Sequence, residues 1–385
     1  MNSGDVVFIP RVTDTNLSKS GLGISCAIIN ASTAAGRLGV LKSTQEAVEM
    51  LVMDPETDKL ALEQSTFYQK LPYAAVDATK LYSDAEYRLR DFVIPVLDFQ
   101  RSNGLNILST PYLSYEHFNT EYFNVSLAMV NETIGNIRAS GKSVKVNVVV
   151  GPKCNALINL QEVSYIAARY GEDFKDDIDY FTVKVEGLND KDASVDELLG
   201  LARLVHELSW HAPVIVNPVG GFGLVLALAG ASYVSRSWRG NEYYVAKKTP
   251  RGKNPPTVRV YYPPIMNNVD INDLRTLKYS CDCASCRGKL PESNEDIVKH
   301  KVTIVRDQYR ELTALKGDAR VQYVKDQYIN AQSELNSLSL KKLGPKNSTY
   351  INKWSTVLDE VLKWSHEPQE DVELDKLLEE IDKDD

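Results

Sequence analysis

From Val144 to Val185 the chain reads VKVNVVVGPKCNALINLQEVSYIAARYGEDFKDDIDYFTVKV, and this stretch decides the fold class. It opens on Val144–Val150 and closes on Phe181–Val185, two short runs rich in β-branched residues. Between them, Leu160–Arg169 returns apolar residues every three or four positions, the period of a half-buried helix. Strand, helix, strand is the βαβ unit that makes parallel sheet. Working outward, further strand-like runs fall at Val6–Ile9, Ala27–Asn30, Phe92–Leu97, Asn106–Leu108, Val214–Asn217 and Tyr233–Ser235. Amphipathic stretches fall at Thr44–Met53, Glu121–Ile137 and Val195–Leu208, the last opened by a capping box of Ser194 and Glu197. Eight alternations predict an α/β fold, a TIM-like (β/α)8 barrel whose working face is where strands run out into loops.

The length of 385 residues suits one barrel of about 250 residues with an appendage. The pattern divides it into a barrel over 1–240, a basic hairpin, metal site and helices over 241–345, and a last helix with an acidic tail over 346–385. A hydrophobic share of 43% with 25% charged residues is that of a water-soluble globule, and no apolar run approaches the roughly 18 residues of a membrane span. The start, MNSGDVVFIPRV, has neither the basic opening nor the apolar stretch of a secretory signal, which predicts a cytoplasmic chain with reduced cysteines. The net charge of −8 is concentrated at one end: Glu367–Asp385 holds ten Asp/Glu against Lys376 and Lys383, also −8. This tail, with Leu374, Leu377, Leu378 and Ile381 at helical spacing, reads as a solvated short helix or a docking peptide.

Three thiols in six residues, SCDCASCRGK, are followed fourteen positions later by His300. Zinc takes four sulfur or nitrogen ligands at tetrahedral corners, and a tight turn bearing three thiolates meets that need at small loop-closure cost. Cys281, Cys283, Cys286 and His300 are therefore the candidate ligands of a structural Zn2+, closed to water and substrate. Cys26 and Cys154 read as small buried apolar residues. Between Arg236 and Arg259 lie seven Lys/Arg against Glu242 alone, interleaved with Trp238, Tyr243 and Tyr244. Tyr243–Val245 and Val258–Tyr262 predict the arms of a hairpin around the basic tip AKKTPRGKNPP. Arg236, Arg239, Lys247, Lys248, Arg251 and Lys253 are candidates for phosphate contacts to tRNA or DNA. The same charges also suit a solvated sheet edge or an acidic protein partner.

A barrel followed by C-x-C-x2-C and a histidine that opens a helical segment resembles the tRNA-guanine transglycosylase superfamily, which exchanges a guanine in nucleic acid for a 7-deazapurine such as those of the queuosine type. APVIVNPVGGFGLVLALAGASYVSRSWRG resembles the family's late strand, Gly-rich turn, helix and nucleophile-bearing strand. LYSDAEYRLRDFVIPVLDF resembles the strand that ends in its second acid. The resemblance implies a carboxylate nucleophile attacking C1′ of the target nucleoside, and that position falls on Ser235. It places the second acid, a general acid or base, on Asp98, which also reads as a carboxylate capping the next turn.

The implied base pocket falls on Gly151, Glu186 and Gly187. Val150 precedes Gly151 where the family has glutamine, Glu186 stands where it has a paired glycine, and STPYLSYE has no acid before Glu116 where it has an aspartate. Each change removes a hydrogen bond to a flat polar ligand, at about 1–3 kcal/mol. The resemblance thus implies a barrel without its nucleophile, serving as a non-catalytic or repurposed subunit that binds nucleic acid, a deazapurine-related ligand or a protein partner. Some transglycosylase-like proteins accompany deazapurine-synthesis enzymes in bacterial antiviral gene clusters, a setting that the resemblance implies for a diverged member such as this one. Two alternatives stay open: a live base-exchange enzyme using Asp98 or Glu186, and a structural protein that dimerises through its zinc side.

Overall fold

The computed structural model describes residues 5–12, 22–59, 68–141, 143–237, 258–338 and 349–364. Eight parallel strands form one sheet: β1 (Val7–Val12), β2 (Cys26–Asn30), β3 (Met50–Asp54), β4 (Ile107–Ser109), β5 (Lys145–Val150), β6 (Tyr180–Val183), β7 (Val214–Val216) and β8 (Ala231–Ser237). Their order is β3-β2-β1-β8-β7-β6-β5-β4, with β1 registered on β8 from Val7↔Tyr233 to Arg11↔Ser237. β3 and β4, the two ends of that order, lie side by side and nearly close the barrel. Side chains secure this seam: Thr57 Oγ1 donates to the Tyr112 carbonyl at 2.7 Å and accepts from the Tyr112 amide at 2.8 Å.

Helices α1 (Ala31–Gly36), α2 (Leu38–Ala47), α3 (Ile94–Ser102), α4 (Glu121–Ser140), α5 (Leu160–Gly171), α6 (Val195–Leu208) and α7 (Gly223–Ala229) surround the sheet. Alternation along the strands divides the core in two. Ile9, Cys26, Ile28, Val52, Ile107 and Ile215 plug the barrel interior, and a much larger apolar layer lies between sheet and helices. Within the plug, burial pushes the Cys26 thiol up to about 12, against an opposing hydrogen bond to Ser25, so it is an inert apolar filler. The capping box of α6 is formed as its sequence predicts, with both reciprocal bonds in place. Farther along α6 a side chain at Gly200 would put its Cβ 1.8 Å from the Leu157 carbonyl oxygen. Gly200→Ala is expected to destabilise the fold by about 1–3 kcal/mol, read from the urea midpoint.

Two expectations are corrected. Phe92–Leu97 is helix: a π-helical stretch, Arg88–Val93, runs into α3, and Pro95 sits in its first turn. A proline has no N–H to give, so a widened turn ahead of it absorbs the missing bond. Thr44–Met53 is not one helix, because α2 stops at Ala47 and Met50–Asp54 is β3. A short continuous apolar run buried on both faces has no period to tell strand from helix.

Past the barrel, β9 (Arg259–Tyr262) pairs antiparallel with β10 (Asn267–Asp270). The predicted first arm of the hairpin, Tyr243–Val245, lies outside the described residues. The chain continues through α8 (Ile271–Thr276), α9 (Asn294–Ala314), α10 (Asp318–Ser337) and α11 (Tyr350–Trp364). α9 runs along β1, where Thr313 Oγ1 donates to the Val6 carbonyl at 2.8 Å. α11 is tied to the barrel by Trp354 Nε1, which donates to the Asp190 carbonyl at 2.8 Å. No helix among the described residues is long and apolar enough to cross a membrane.

Candidate metal centre and strand-end site

The turn Cys281–Lys289 is folded tightly on its own backbone. Amides of Cys286 and Arg287 both donate to the Cys283 carbonyl at 3.0 Å, and Gly288, at φ +82°, returns its amide to the Cys281 carbonyl at 2.9 Å. The three thiols thereby face α9, where His300 is buried, and the four ligand atoms lie within 4.8 Å of one another. Such a group can hold a metal ion. His300 Nδ1 lies 3.2 Å from Cys286 Sγ and 3.8 Å from Cys283 Sγ, while its Nε2 is 2.7 Å from the Tyr261 carbonyl on β9. A ligating histidine characteristically gives its second N–H to a backbone carbonyl, which fixes the ring and the tautomer. Burial lowers the His300 pKa despite the opposing bond to Tyr261, which favours the neutral imidazole that metal binding requires. Burial, and after it the neighbouring Cys283 and Cys281, raise the Cys286 thiol, a penalty that a bound dication would reverse.

At the other end of the molecule's logic are the carboxyl ends of the strands. Lys184, one residue past β6, is 0% exposed and sits 2.8 Å from Asp54, the last residue of β3. Arg11 of β1 is 3.3 Å from the same carboxylate and also donates to Asn30 of β2 at 2.8 Å. Burial alone would raise the Asp54 carboxyl, but Lys184, Arg11 and Lys59 outweigh it and hold it well below the ordinary range. Tyr112, just past β4, receives a hydrogen bond from Lys184 Nζ, and its one hydroxyl proton lies between Asp58 at 2.8 Å and Asp54 at 3.2 Å. Glu56, in the left-handed region at φ +56°, accepts from Asn30 Nδ2 at 2.9 Å, from the Ser32 amide at 3.0 Å and from Lys59. The ends of five strands, β1, β2, β3, β4 and β6, thus converge on one buried ionic network at the barrel mouth.

Beside it opens a cavity of about 300 Å³ lined by Asp58, Ser114, Glu116, Tyr122, Lys153 and Glu186 among others. Lys153 is paired with Glu116 at 2.7 Å. Asp58 belongs to both cavity and network. A larger cavity, about 560 Å³, lies on the opposite, amino-terminal face around Trp210, His211 and Ser232. Barrel function resides at the carboxyl face, so the smaller cavity is the candidate binding site.

Of the residues singled out from sequence, the mouth brings Gly151, Glu186 and Gly187 together. A Cβ on Gly151 would meet the Tyr112 ring at 2.7 Å, so only glycine lets that ring lie against β5. Glu186 lines the cavity, with the backbone around it bridged to Lys153, and Gly187 takes φ +85°. Ser235 is in β8, turned into the barrel and 0% exposed. Asp98 stands apart: on α3 in the outer layer, 62% exposed and paired with Arg101 at 3.1 Å, instead of at the end of a strand. The acid that does end a strand is Asp54. Arg236 is 1% exposed, its guanidinium 4.8 Å from the Tyr261 ring and donating to Tyr261 Oη at 3.2 Å, so it faces the interior rather than a phosphate. Arg239, Lys247, Lys248, Arg251 and Lys253 lie outside the described residues.

No protein-family model and no curated protein matches the chain. Among solved structures it is similar to the catalytic domain of a GH26 endo-β-1,4-mannanase from Bacillus sp. JAMB-750, at 12% identity over 60% of this chain and 77% of that one, with a TM-score of 0.34. A likeness so slight carries no argument about function.

Sequence reading missed Asp54, Glu56, Asp58, Lys59, Tyr112 and Lys184. Two signals point to them. MDPETDK packs three acids and a lysine directly behind an apolar run, and Lys184 interrupts the β-branched run FTVKV at an inward position.

Proposed function

We propose that the chain is a zinc-bearing barrel of the tRNA-guanine transglycosylase kind that has exchanged its nucleophile for Ser235 and binds a guanine- or 7-deazaguanine-like base without transferring it. Ser235 carries this reading. An attack on a sugar carbon needs a carboxylate there, β8 contains no acid, and the Ser235 hydroxyl has no hydrogen-bonding base beside it among the described residues. Three sulfurs and one nitrogen at tetrahedral reach suit zinc, and with four protein ligands the ion has a structural role. The base would enter the mouth cavity, where Asp58 and Glu186 are acceptors for the N–H edge of an aminopyrimidinone ring. The basic segment beyond β8 would meet the nucleic acid.

A second reading, proton-transfer chemistry by the strand-end acids, is favoured by Asp58 alone, since it joins the cavity to the buried Tyr112–Lys184–Asp54 network. One experiment tests the proposal. Guanine and 7-deazaguanine are titrated calorimetrically, and labelled guanine is incubated with protein and a tRNA transcript. The proposal expects saturable binding, weakened about 10–100-fold by Asp58→Asn, with no label entering the RNA. Label in the RNA overturns the non-catalytic reading, and no binding of either base overturns the ligand assignment.

A further inference from the structure

The cavity of about 560 Å³ on the amino-terminal face lies where β1, β7 and β8 begin, and its size is that of a small-molecule site. Val6, Ala212, Ala227 and Ala231 give it a buried apolar floor, while Asp5 and Pro213 are exposed, so it opens to solvent. Two close approaches fix its walls. The His211 ring lies against Gly171, where a Cβ would come within 2.3 Å of it, and Ser209 lies against Gly230, where a Cβ would come within 2.4 Å of the hydroxyl. Trp210, between Ser209 and His211, is held edge-to-face on His206 with centroids 5.1 Å apart.

Charge around this cavity has one sign. Among the described residues no Lys or Arg lines it, whereas Asp5 does. α6 ends at Leu208 and α7 at Ala229, each one residue before a lining residue, so two helices bring their carboxyl ends to it. Such an end carries up to about half an elementary negative charge. Burial lowers the His211 pKa against the pull of Glu172, 3.8 Å from Nε2, which favours the uncharged ring. Lys175, whose charge also reaches His211, is paired with Glu172 at 3.4 Å. Arg320 of α10 feels the Asp5 charge but is outside the lining. An anion here would meet an acid and two negative helix ends. A cation would be favoured by the same groups and by the electron-rich indole of Trp210.

The kind of cation follows from a shortage of acceptors. A primary ammonium carries three N–H donors, each of which needs an acceptor once it leaves water. The side chains of the floor supply none, and the Ser209 hydroxyl is committed to the His206 carbonyl at 2.6 Å. Asp5 and Ser232 are the oxygen acceptors left among the lining side chains. A quaternary ammonium has no N–H to satisfy, and takes its stabilisation from an aromatic face and a diffuse negative field.

We infer that this amino-terminal cavity is a second binding site, for a quaternary ammonium head group whose charge lies against Trp210 and toward Asp5, with its methyl groups on the alanine floor. The site does not depend on the base-binding reading, which concerns the opposite face.

The test titrates choline and its uncharged isostere, 3,3-dimethylbutan-1-ol, calorimetrically into the full-length protein. Choline is expected to bind saturably at one site, at least about tenfold more tightly than the isostere. Trp210→Leu should weaken choline about tenfold and Asp5→Asn about threefold. Ser232→Lys, which sets a resident ammonium in a part-exposed wall, should abolish binding, and it keeps the test decisive if the Trp210 variant does not fold. Equal affinities for choline and the isostere overturn the charge preference. Choline binding that survives Ser232→Lys belongs to another acidic surface and overturns the site, as does the lack of any saturable choline binding at millimolar concentration.

Discussion

Replacing Cys286 by serine is expected to strip the protein of metal and loosen its whole C-terminal attachment. The intact chain should carry close to one zinc, measured by atomic emission, and the variant close to none. Structural zinc sites contribute apparent binding energies of about 10–16 kcal/mol in isolated fingers, and that energy is folding energy wherever the site does not exist in the unfolded chain. Here the energy is spent on an assembly. His300 is buried on α9, its second nitrogen holds the Tyr261 carbonyl of β9, and the Tyr261 side chain holds Arg236 on β8. Loss of the ion should therefore propagate from the thiol turn to the last barrel strand. Hydrogen exchange should accelerate in Arg259–Asp270 and at the start of α9, with the melting temperature down by several degrees or more. A metal-free protein of unchanged stability would remove the metal centre from this account.

Lys184→Met should cost about 3–5 kcal/mol, because it strands the Asp54 carboxylate in a buried site with one of its principal cations gone. The double variant Lys184→Met with Asp54→Leu should recover much of that loss, since removing both charges also removes their desolvation cost. Wild-type stability should depend on acid in a matching way. The Asp54 carboxyl is held below its unfolded value, so its contribution is fully present above roughly pH 4 and is lost as pH falls below that toward the folded value. Urea midpoints measured from neutral to strongly acidic pH should show this limb in the wild type and a weaker one in Asp54→Asn. An unchanged midpoint in Lys184→Met, or an identical acid limb in Asp54→Asn, would mean that the network is incidental.

Both predictions concern features of unequal visibility in sequence. The thiol triplet is legible because its members are separated by one and two residues, within the reach of a single turn. The capping box of α6 is legible for the same reason. The late strands were placed within a few residues by their β-branched runs, as β5 (Lys145–Val150) shows. Legibility failed where a run was apolar throughout. Met50–Met53 continues the apolar spacing of the helix before it, which hides the strand that delivers Asp54, and Phe92–Leu97 has the composition of a strand, which promotes Asp98 in its place.

By itself, the amino-acid sequence determined the αβ alternation that makes a parallel barrel, the turn that gathers three thiols and the absence of an acid along β8, because each is a matter of neighbours along the chain or of composition. Tertiary structure decided which nitrogen of His300 faces the sulfurs, that Arg236 is interior, and that residues 11, 30, 54, 58, 112 and 184 meet in one buried network. The physical reason is closure: an eight-strand sheet rolled into a barrel brings the ends of distant strands into hydrogen-bonding range, and which inward positions share a layer is set by register, a property no single segment carries.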